Sequence, residues 1–453
     1  MPNSRMPPTA SVSAIPQRPA PPLGPTHRDG RVGYVSYFLL AIILCHPAKL
    51  RIPISLYKPL TPFRSTPNIN AHLYSEPPKL PTEKEPIRVA VLGQGRSGLD
   101  IHCRYFKTAP HKYQIVAIAD LLDDRRQRAQ SEMGCDAYAD YCDLLARGDI
   151  ELVVNALPSH LHPQATIDSL NTGHHTICEK PLAWSAAELD TMIAAASEAD
   201  RLLLPFQQSR NAPQFQKLLQ IIDSGVLGRI VQVSISFSGF ARRWDWQTLQ
   251  EYRGGNLLNT GPHPMDQAMR LLDFKMPEQI LCAMDRANTF GDAEDYVKVL
   301  LRTKDKPVID VEISSCTAFP QPMYTVHGER GGLSGGPAGL TWRYYDPQKA
   351  PEQMLIRSPL PGPSYCREEL KMIERSWAPN EDEQNSFTYM SNAYYDSVFA
   401  VLREAAQPEI TPQQVRVQIA VIEECHRQNH LSQLPPQGFD LSSAEGWPKE
   451  CTT

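Results

Sequence analysis

Short apolar runs and helical stretches alternate along residues 87–208 of the chain. Four runs rich in β-branched and leucine side chains predict buried strands at residues 87–92, 114–119, 152–157 and 202–206. Between them, apolar positions recur with helical spacing through residue 107 and over 124–133, 141–147, 163–171 and 185–199. Strands that alternate with helices predict an α/β fold with a parallel sheet. Pro205 lies in the last run and predicts an edge strand, because proline cannot complete a central ladder.

The pattern changes after residue 208, where strands follow one another without helices between them. A helix over residues 212–224 is predicted to end at Gly225, a typical helix stop. Strand-like runs then occupy residues 230–240, 279–287, 296–302, 308–314 and 324–327. Such strands predict an α+β domain with a large, open, mostly antiparallel sheet and one covered face. Two last helices, near residues 389–406 and 412–428, are expected to return and pack the core.

Residues 1–86 differ from the rest of the chain. The opening is rich in proline, serine and alanine, which is typical of disorder, and prolines recur up to Pro86 as in a linker. The apolar run at residues 32–45 is shorter than the roughly 20 residues that a spanning helix needs. A targeting segment, a membrane anchor and a non-functional or artefactual extension all stay open. We therefore expect four regions: extension 1–86, domains 87–208 and 209–434, and tail 435–453.

Composition narrows the class of function. The chain of 453 residues is long enough for two domains, and 42% hydrophobic residues supply substantial cores. A formal net charge of -5 without a dominant basic stripe argues against a nucleic-acid partner. Ten cysteines without a CxxC pair predict neither a disulfide framework nor a zinc site. We expect a cytoplasmic protein with no bound metal and no membrane partner, unless the N-terminal extension directs it elsewhere.

The first predicted strand runs into the glycine-rich turn 93–98, which fits the pattern G-x-G-x-x-G. In a dinucleotide site Gly93 permits the tight turn, Gly95 lets the backbone approach the pyrophosphate, and Gly98 lets helix and strand pack closely. An ordinary glycine-rich turn fits the pattern alone, but this one opens a helix whose N-terminus can hold phosphate. Asp120 ends the next strand, where an acid binds the adenine ribose. These features predict a Rossmann NAD(P)-binding domain.

The acid at position 120 favours NAD over NADP, although Arg96 or Arg125 could accommodate a 2′-phosphate. Two further loops belong to the same edge, because ligands bind at the carboxyl ends of parallel strands. In residues 158–163, His160 or His162 could contact the cofactor or only cap the loop, and contact is favoured for His162. The other loop is residues 178–181. The residues predicted to bind cofactor are Gly93, Gly95, Arg96, Ser97, Gly98, Asp120, Pro158, His162, Glu179 and Lys180.

A second motif spans residues 254–266. Asn259 is predicted to be the N-cap of a helix that runs to about Leu272, with His263 on the same face four residues later. A histidine titrates near neutral pH and could be a general base. Taken alone, this motif fits a structural histidine at a helix end better than a catalytic one.

The candidate substrate ligands are polar or aromatic residues in connecting loops. Arg242 and Trp244 follow the first strand of the second half, and side chains of this kind suit either sugar binding or a packed loop. Gln207 and Arg210 lie just past the last strand of the first domain and are similar candidates. Arg210, Arg242 and Trp244, together with Asn259, form the predicted substrate-binding set.

The motifs resemble, in order and spacing, those of the glucose-fructose oxidoreductase, inositol dehydrogenase and rhizopine catabolism (Gfo/Idh/MocA) oxidoreductases. The resemblance covers about residues 87–428 and is carried by the glycine turn with His102, Asp120, residues 158–162, Glu179-Lys180-Pro181 and residues 254–266. It implies a Rossmann domain followed by a domain whose large sheet often forms a dimer interface. A homodimer or homotetramer through that sheet is therefore expected.

The resemblance also implies a mechanism. Lys180 would lie near the nicotinamide and stabilise the developing oxyanion, while His263 would take the hydroxyl proton as hydride leaves for the cofactor. Many sugar dehydrogenases of this family have Asp where this chain has Asn259, so His263 would work without that carboxylate. An NAD(P)-dependent oxidoreductase acting on a sugar, polyol or related cyclic alcohol is expected. Two alternatives stay open: a cofactor-responsive regulatory protein, against which Lys180 and His263 argue, and a hydrolase or lyase that uses NAD transiently.

Overall fold

The computed structural model describes residues 85–433 of the chain. Nearly all of the expected N-terminal extension and the expected C-terminal tail lie outside these residues. Within the described part of the chain, no helix is both long enough and apolar enough to cross a membrane.

The first sheet has six parallel strands and confirms the predicted α/β pattern. Its strands are β1 (Ile87–Leu92), β2 (Tyr113–Ala119), β3 (Asp136–Tyr138), β4 (Leu152–Asn155), β5 (His175–Cys178) and β6 (Leu203–Pro205). Their order is β3-β2-β1-β4-β5-β6, so β6 with Pro205 is an edge strand, as predicted. β1 lies between β2 and β4 and is almost completely buried, which explains why all of its residues except Arg88 are apolar.

Helices connect these strands on both sides of the sheet. A π-helical segment (Ser97–Cys103) continues as α1 (Arg104–Thr108). It is followed by α2 (Asp123–Met133), α3 (Tyr141–Leu145), α4 (His162–Asn171) and α5 (Ala186–Glu198). α2 ends where predicted, since Gly134 takes a left-handed conformation with φ of 63°. α5 begins at Ser185, whose side chain accepts a hydrogen bond from the Glu188 backbone.

The second sheet has eight strands and is mostly antiparallel, as predicted. Its strands are β7 (Ile230–Ser238), β8 (Gln279–Asp285), β9 (Tyr296–Arg302), β10 (Val308–Ser314), β11 (Tyr324–Gly328), β12 (Gly331–Gly336), β13 (Gly339–Tyr345) and β14 (Met372–Trp377). The order is β14-β13-β12-β11-β7-β10-β9-β8, and only β7 and β10 run parallel. The sequence did not reveal the last three strands. β12 consists largely of glycine and lacks an alternating pattern, and a Cβ atom at Gly331 would overlap the Arg343 carbonyl oxygen of β13.

Among the remaining helices, some pack on the second sheet and others reach the first domain. They are α6 (Pro213–Asp223), α7 (Asn256–Asn259), α8 (Pro262–Leu271), α9 (Glu381–Gln384), α10 (Ser386–Arg403) and α11 (Pro412–Gln428). Phe215 of α6 and Met265 of α8 pack with Val233 and Val311 of the sheet in one buried cluster. Each fully buried side chain of this size stabilises the fold by roughly 1.5–3 kcal/mol.

α10 packs into the core of the first domain, as predicted for the last helices. The ring of Tyr395 stacks on Tyr105 at 4.4 Å, and its backbone oxygen accepts a hydrogen bond from Tyr113 at 2.6 Å. Tyr394 packs edge-on against Phe206, next to β6. The hydrophobic core of the nucleotide-binding half is therefore completed by a helix from the far end of the sequence.

Candidate active site

The turn after β1 has the shape that a pyrophosphate requires. Gly93 has φ of 88°, and a Cβ atom there would lie 2.6 Å from the Ala156 carbonyl oxygen. A Cβ atom at Gly98 would overlap the Gly93 carbonyl oxygen, whereas one at Gly95 would lie no closer than 3.7 Å, from the Arg125 guanidinium. Gly93 and Gly98 are thus required by packing, and Gly95 leaves its outer side open. This open backbone at the start of a helical segment fits the pyrophosphate of a dinucleotide.

Asp120 follows β2 and joins two loops at the predicted ribose position. Its carboxylate accepts hydrogen bonds from the Gln94 backbone at 2.7 Å and from the Leu122 backbone at 2.9 Å. Arg125 lies 3.3 Å from the same carboxylate and is partly exposed. The structure therefore brings the glycine turn, Asp120 and Arg125 together. Arg96 is exposed and Ser97 half-buried where the turn passes into its helix.

Lys180 follows β5 and reaches across to the second domain. Its Nζ atom donates a hydrogen bond to the backbone oxygen of Asn259 at 2.9 Å. Burial lowers the pKa of Lys180, the charge of Glu179 opposes this, and the charges of Arg96 and Arg243 lower it further. The ammonium thus lies where the glycine turn, the exit of β5 and the second domain meet.

Glu179 is held by a buried network rather than facing the cleft. One carboxylate oxygen lies 3.2 Å from Nε2 of His102, and the other accepts the backbone N–H of Lys180 at 3.0 Å. Nδ1 of His102 lies 2.5 Å from the hydroxyl of Tyr395. This network explains the position of His102 in the motif, because His102 connects Glu179 to the core helix α10.

Asn259 is not a helix N-cap, so that prediction was wrong. It is the last residue of the short helix α7, and α8 begins separately at Pro262, with Gly261 as its N-cap. Pro262 suits a first helical position because its φ is already helical and it needs no N–H partner there. Asn259 and His263 therefore lie on different helices. The backbone oxygen of Asn259 accepts the hydrogen bond from Lys180, so Asn259 contributes to the site through its backbone.

His263 lies in the first turn of α8 and is partly exposed. Its Nδ1 atom is 2.9 Å from the hydroxyl of Ser209, which lies in the turn Gln208–Asn211 after β6. Burial and the charge of Lys180 lower the pKa of His263 to about 3, so the ring is neutral at physiological pH. A neutral imidazole next to an ammonium can accept a proton while the ammonium donates a hydrogen bond.

The two histidines of residues 158–163 have different surroundings. His162 is buried, and its ring nitrogens lie 2.7 Å from the Pro181 oxygen and 2.8 Å from the Leu157 oxygen. It connects two loops and has no ring nitrogen left for a cofactor, contrary to the contact favoured from the sequence. His160 is only half-buried, packs 5.2 Å from Tyr252, and has a buried Nδ1 without a partner among the described residues. Pro158 is partly exposed just after β4.

Arg210 does not face the site, contrary to its prediction as a substrate ligand. It is 3% exposed, and its guanidinium pairs with both carboxylate oxygens of Asp266 at 2.9 and 2.6 Å. The remaining nitrogen donates to the Glu409 backbone and to Gln414. Gln207 is also buried and donates to the Pro262 carbonyl. A sequence motif cannot distinguish such buried polar anchors from ligand-binding groups, since both combine polarity with a loop position.

Arg242 and Trp244, the other two substrate candidates, are exposed. The Arg242 guanidinium lies 4.7 Å over the ring of Phe290, and Trp244 packs edge-on against the same ring. Trp244 is 77% exposed, so this pair forms an open surface rather than a closed pocket.

Sequence reasoning missed three residues that shape this region. Ser209 contacts His263, and Arg253 pairs with both oxygens of Glu188 at 2.7 Å across the two domains. Glu294 is buried against Gly255 and accepts the Leu257 backbone N–H at 2.9 Å. The left-handed φ of 56° at Arg253, directly before two glycines, has no sequence signature in an arginine.

Two family models match the chain. Residues 87–206 match the model described as oxidoreductase family, NAD-binding Rossmann fold. Residues 215–334 match the GFO/IDH/MocA C-terminal domain. The first match covers the glycine turn, Asp120 and Lys180, and the second covers His263.

The chain is also similar to individual proteins and to solved structures. An uncharacterized oxidoreductase of Schizosaccharomyces pombe is 29% identical over 261 residues, covering 54% of this chain and 70% of the relative. A 2,7-anhydro-N-acetylneuraminate hydratase of Mediterraneibacter gnavus is 25% identical over 251 residues, covering 54% and 66%. The WlbA dehydrogenase from Bordetella pertussis, solved with NADH and UDP-GlcNAcA, has a TM-score of 0.60 at 22% identity and covers 79% of this chain and 100% of that one. At this identity the structural likeness shows the fold.

Proposed function

The chain belongs to the GFO/IDH/MocA oxidoreductase family, and on that premise we propose that it oxidises or reduces a sugar, polyol or related cyclic alcohol with NAD. The observation that carries the proposal is the hydrogen bond from Lys180 Nζ to the Asn259 backbone oxygen. It joins the exit of β5, where a Rossmann domain binds its ligand, to the segment that leads into His263. An ammonium and a neutral imidazole therefore approach one cleft.

In the proposed reaction Lys180 polarises the reacting oxygen. Its ammonium donates a hydrogen bond to the substrate hydroxyl and stabilises the negative charge that develops as the O–H bond breaks. Because its pKa is lowered by burial, this ammonium is a better proton donor than an exposed lysine would be. Glu179 and its hydrogen bond from His102 keep a compensating negative charge beside Lys180.

His263 takes the proton of the substrate hydroxyl on its free ring nitrogen. Nδ1 faces Ser209, so Nε2 is the nitrogen available to a ligand. The products of oxidation are a carbonyl group, reduced cofactor and one proton on His263. When bound, the nicotinamide supplies the hydride acceptor.

We further propose that NAD is preferred over NADP. The Asp120 carboxylate keeps lone pairs beside the glycine turn, which suits ribose hydroxyls and repels a 2′-phosphate. Arg125 already pairs with this carboxylate and is thereby partly neutralised. The pair would have to separate before Arg125 could bind a phosphate.

The test is cofactor binding followed by a substrate screen on the full-length protein. NADH and NADPH are titrated by fluorescence, and a panel of sugars, polyols and cyclic alcohols is screened for NADH formation. We expect Lys180→Ala and His263→Ala to bind NADH as the wild type does and to lose most of the rate. Tight NADH binding without turnover of any panel member would contradict the proposed reaction. Equal loss of binding and rate would contradict the assigned roles.

A second candidate is a reaction without net redox change. It is favoured by the relative from Mediterraneibacter gnavus, which is named a hydratase. Such a reaction would use a hydride transfer that is later reversed, as implied for some enzymes with this fold. Product formation from a glycoside or anhydrosugar without a change in NADH absorbance would establish it. Stoichiometric NADH formation would exclude it in favour of a dehydrogenase.

A further inference from the structure

The hydroxyl of Ser209 is the one hydrogen-bond partner of the His263 ring among residues 85–433. The Oγ to Nδ1 distance is 2.9 Å, and Ser209 is 6% exposed. Ser209 lies in the turn just after β6, the edge strand of the first sheet, and His263 lies at the start of α8. A buried serine hydroxyl thus contacts the candidate base, as a third residue does when it orients the base of a catalytic triad.

Ser209 is fixed by two anchors from the same helix. Its backbone oxygen accepts a hydrogen bond from Gln267 at 3.1 Å, one helical turn beyond His263. Gln267 is itself oriented by the Tyr324 hydroxyl at 2.9 Å. The next residue, Arg210, pairs with both oxygens of Asp266. Two neighbouring residues of α8, Asp266 and Gln267, therefore both bind the turn 208–211. The serine hydroxyl cannot move away from the imidazole without breaking these buried contacts.

The serine matters because a neutral imidazole exists in two tautomers. If Nδ1 carries the proton, it donates to Ser209 Oγ and leaves a lone pair on Nε2. If Nε2 carries it, the Ser209 hydroxyl donates to Nδ1 instead, and the ring cannot accept a substrate proton at Nε2. The positive charge of Lys180, which contributes to the lowered pKa of His263, disfavours an N–H on the side of the ring that faces it.

We propose that Ser209 is a positioning residue that holds His263 in the Nδ1–H tautomer and so keeps Nε2 available as the base. The proposal deepens the proposed function, since it assigns a role to Ser209 in the same reaction. It also accounts for the neutral Asn259, because a hydroxyl that accepts a hydrogen bond from Nδ1–H orients the ring without a carboxylate.

The first test is kinetic and uses Ser209→Ala with a matched control. We expect at least about a tenfold lower kcat with an unchanged Kd for NADH, which is less than the roughly 10²–10⁴-fold that a proton-transfer group itself contributes, because Ser209 acts through His263. Ser169→Ala is the control, because Ser169 is also buried, but its hydroxyl donates to the Ala165 carbonyl within α4 rather than to a site residue. In the His263→Ala background, Ser209→Ala should have no further effect, because the serine acts through the imidazole. Additive losses, or an equal loss from the control, would overturn the proposal.

The second test does not depend on turnover. Nitrogen-15 NMR of histidine-labelled full-length protein distinguishes protonated from unprotonated ring nitrogens, and His263→Ala assigns the signals. We expect protonated Nδ1 and unprotonated Nε2 in the wild type, with the two shifts moving toward each other in Ser209→Ala. Protonated Nε2 in the wild type would overturn the proposal. If the expected tautomer is found but no substrate reacts, the positioning role stands and the proposed reaction fails.

Discussion

One carboxylate oxygen of Glu179 lies 3.2 Å from Nε2 of His102, and both side chains are almost completely buried. The other ring nitrogen of His102, Nδ1, lies 2.5 Å from the Tyr395 hydroxyl, so the ring links Glu179 to α10. Burial raises the pKa of Glu179, but the His102 hydrogen bond and the nearby charges outweigh this and lower the pKa to about 2. The carboxylate is therefore ionised at every pH at which the protein would work, and its charge acts on Lys180.

Replacing Glu179 with glutamine should move the alkaline side of the rate profile. The amide keeps the shape but removes the charge that raises the pKa of Lys180, so Lys180 should lose its proton at lower pH. We expect the alkaline limb of kcat/KM to shift downward by about one pH unit or more. The measurement is kcat/KM against pH, with the exposed Glu198→Gln of α5 as control. An alkaline limb at the wild-type pH in Glu179→Gln would contradict the coupling.

The acid side of the profile should lack a histidine step. The pKa of His263 is lowered to about 3, so the ring stays neutral as pH falls through its ordinary value and becomes charged only near pH 3. We expect kcat/KM of the wild type to show no inflection between about pH 5 and about pH 8 that His263 causes. In a residual-activity assay of Lys180→Ala, an acid limb should appear closer to neutrality because one cause of the lowered pKa is gone. A wild-type limb near the ordinary histidine pKa, abolished by His263→Ala, would disprove this.

Two glycine substitutions should separate cofactor binding from folding. Gly95→Ala places a methyl group on the open side of the turn, where it contacts no backbone atom, so the protein should fold normally. It would occupy the space of the pyrophosphate and weaken NADH binding by at least about tenfold, or about 1.4 kcal/mol. Gly98→Ala should instead lower thermal stability, because its Cβ atom overlaps the Gly93 carbonyl. Normal NADH affinity in Gly95→Ala would contradict the prediction that the cofactor binds at this turn.

The ion pair between Arg253 and Glu188 should affect catalysis across the domain cleft. Arg253→Lys keeps the charge but loses the bidentate contact with Glu188 that holds residues 253–255 against α5. We expect about a tenfold lower kcat/KM, or about 1.4 kcal/mol, with NADH affinity retained. Arg416→Lys is the matched control, since Arg416 makes the same kind of contact to Asp190 of α5, with both side chains more exposed. Equal effects of the two variants would indicate that the Arg253–Glu188 ion pair contributes only to overall stability and not specifically to catalysis.

Glu294 should make the fold less stable at alkaline pH. Burial is the main cause that raises its pKa from 4.5 to about 7, so the folded state binds a proton more tightly than the unfolded chain does. Its stabilising contribution is complete below about pH 4.5 and is lost as pH rises through about 7. Glu294→Gln should therefore gain about 3 kcal/mol in unfolding free energy relative to the wild type between about pH 4 and about pH 8.5. Urea unfolding measures this, with exposed Glu352→Gln as control, and a pH-independent difference would contradict the prediction.

The sequence predicted the order of elements better than the paths of individual loops. Strands such as β1 could be recognised because burial on both faces demands a nearly continuous apolar run. β12 could not, because its glycines are selected by the close approach of β13 rather than by a side-chain pattern. The separate start of α8 at Pro262 was missed because Asn259 fits the N-cap preference equally well.

Roles of polar residues were harder to predict than their location. The family resemblance implied that Lys180 and His263 act at one site, and in the structure Lys180 contacts the segment before His263 through the backbone oxygen of Asn259. His162 and Arg210 lie in the same loops, yet their polar atoms are satisfied by backbone and side-chain partners far away in sequence. Ser209 contacts His263 across 54 positions of chain, a relationship that only the tertiary structure reveals.

The packing of α10 into the first domain has a consequence for biosynthesis. During translation the ribosome releases the strands of the nucleotide-binding half first, but Tyr394 and Tyr395 that complete their core are made near the end of the described chain. The nascent domain therefore exposes part of its apolar core until α10 has been synthesised and packs against it. A premature stop before α10 would remove the helix that orients His102, and would thereby damage the nucleotide-binding half without altering any residue of its glycine turn.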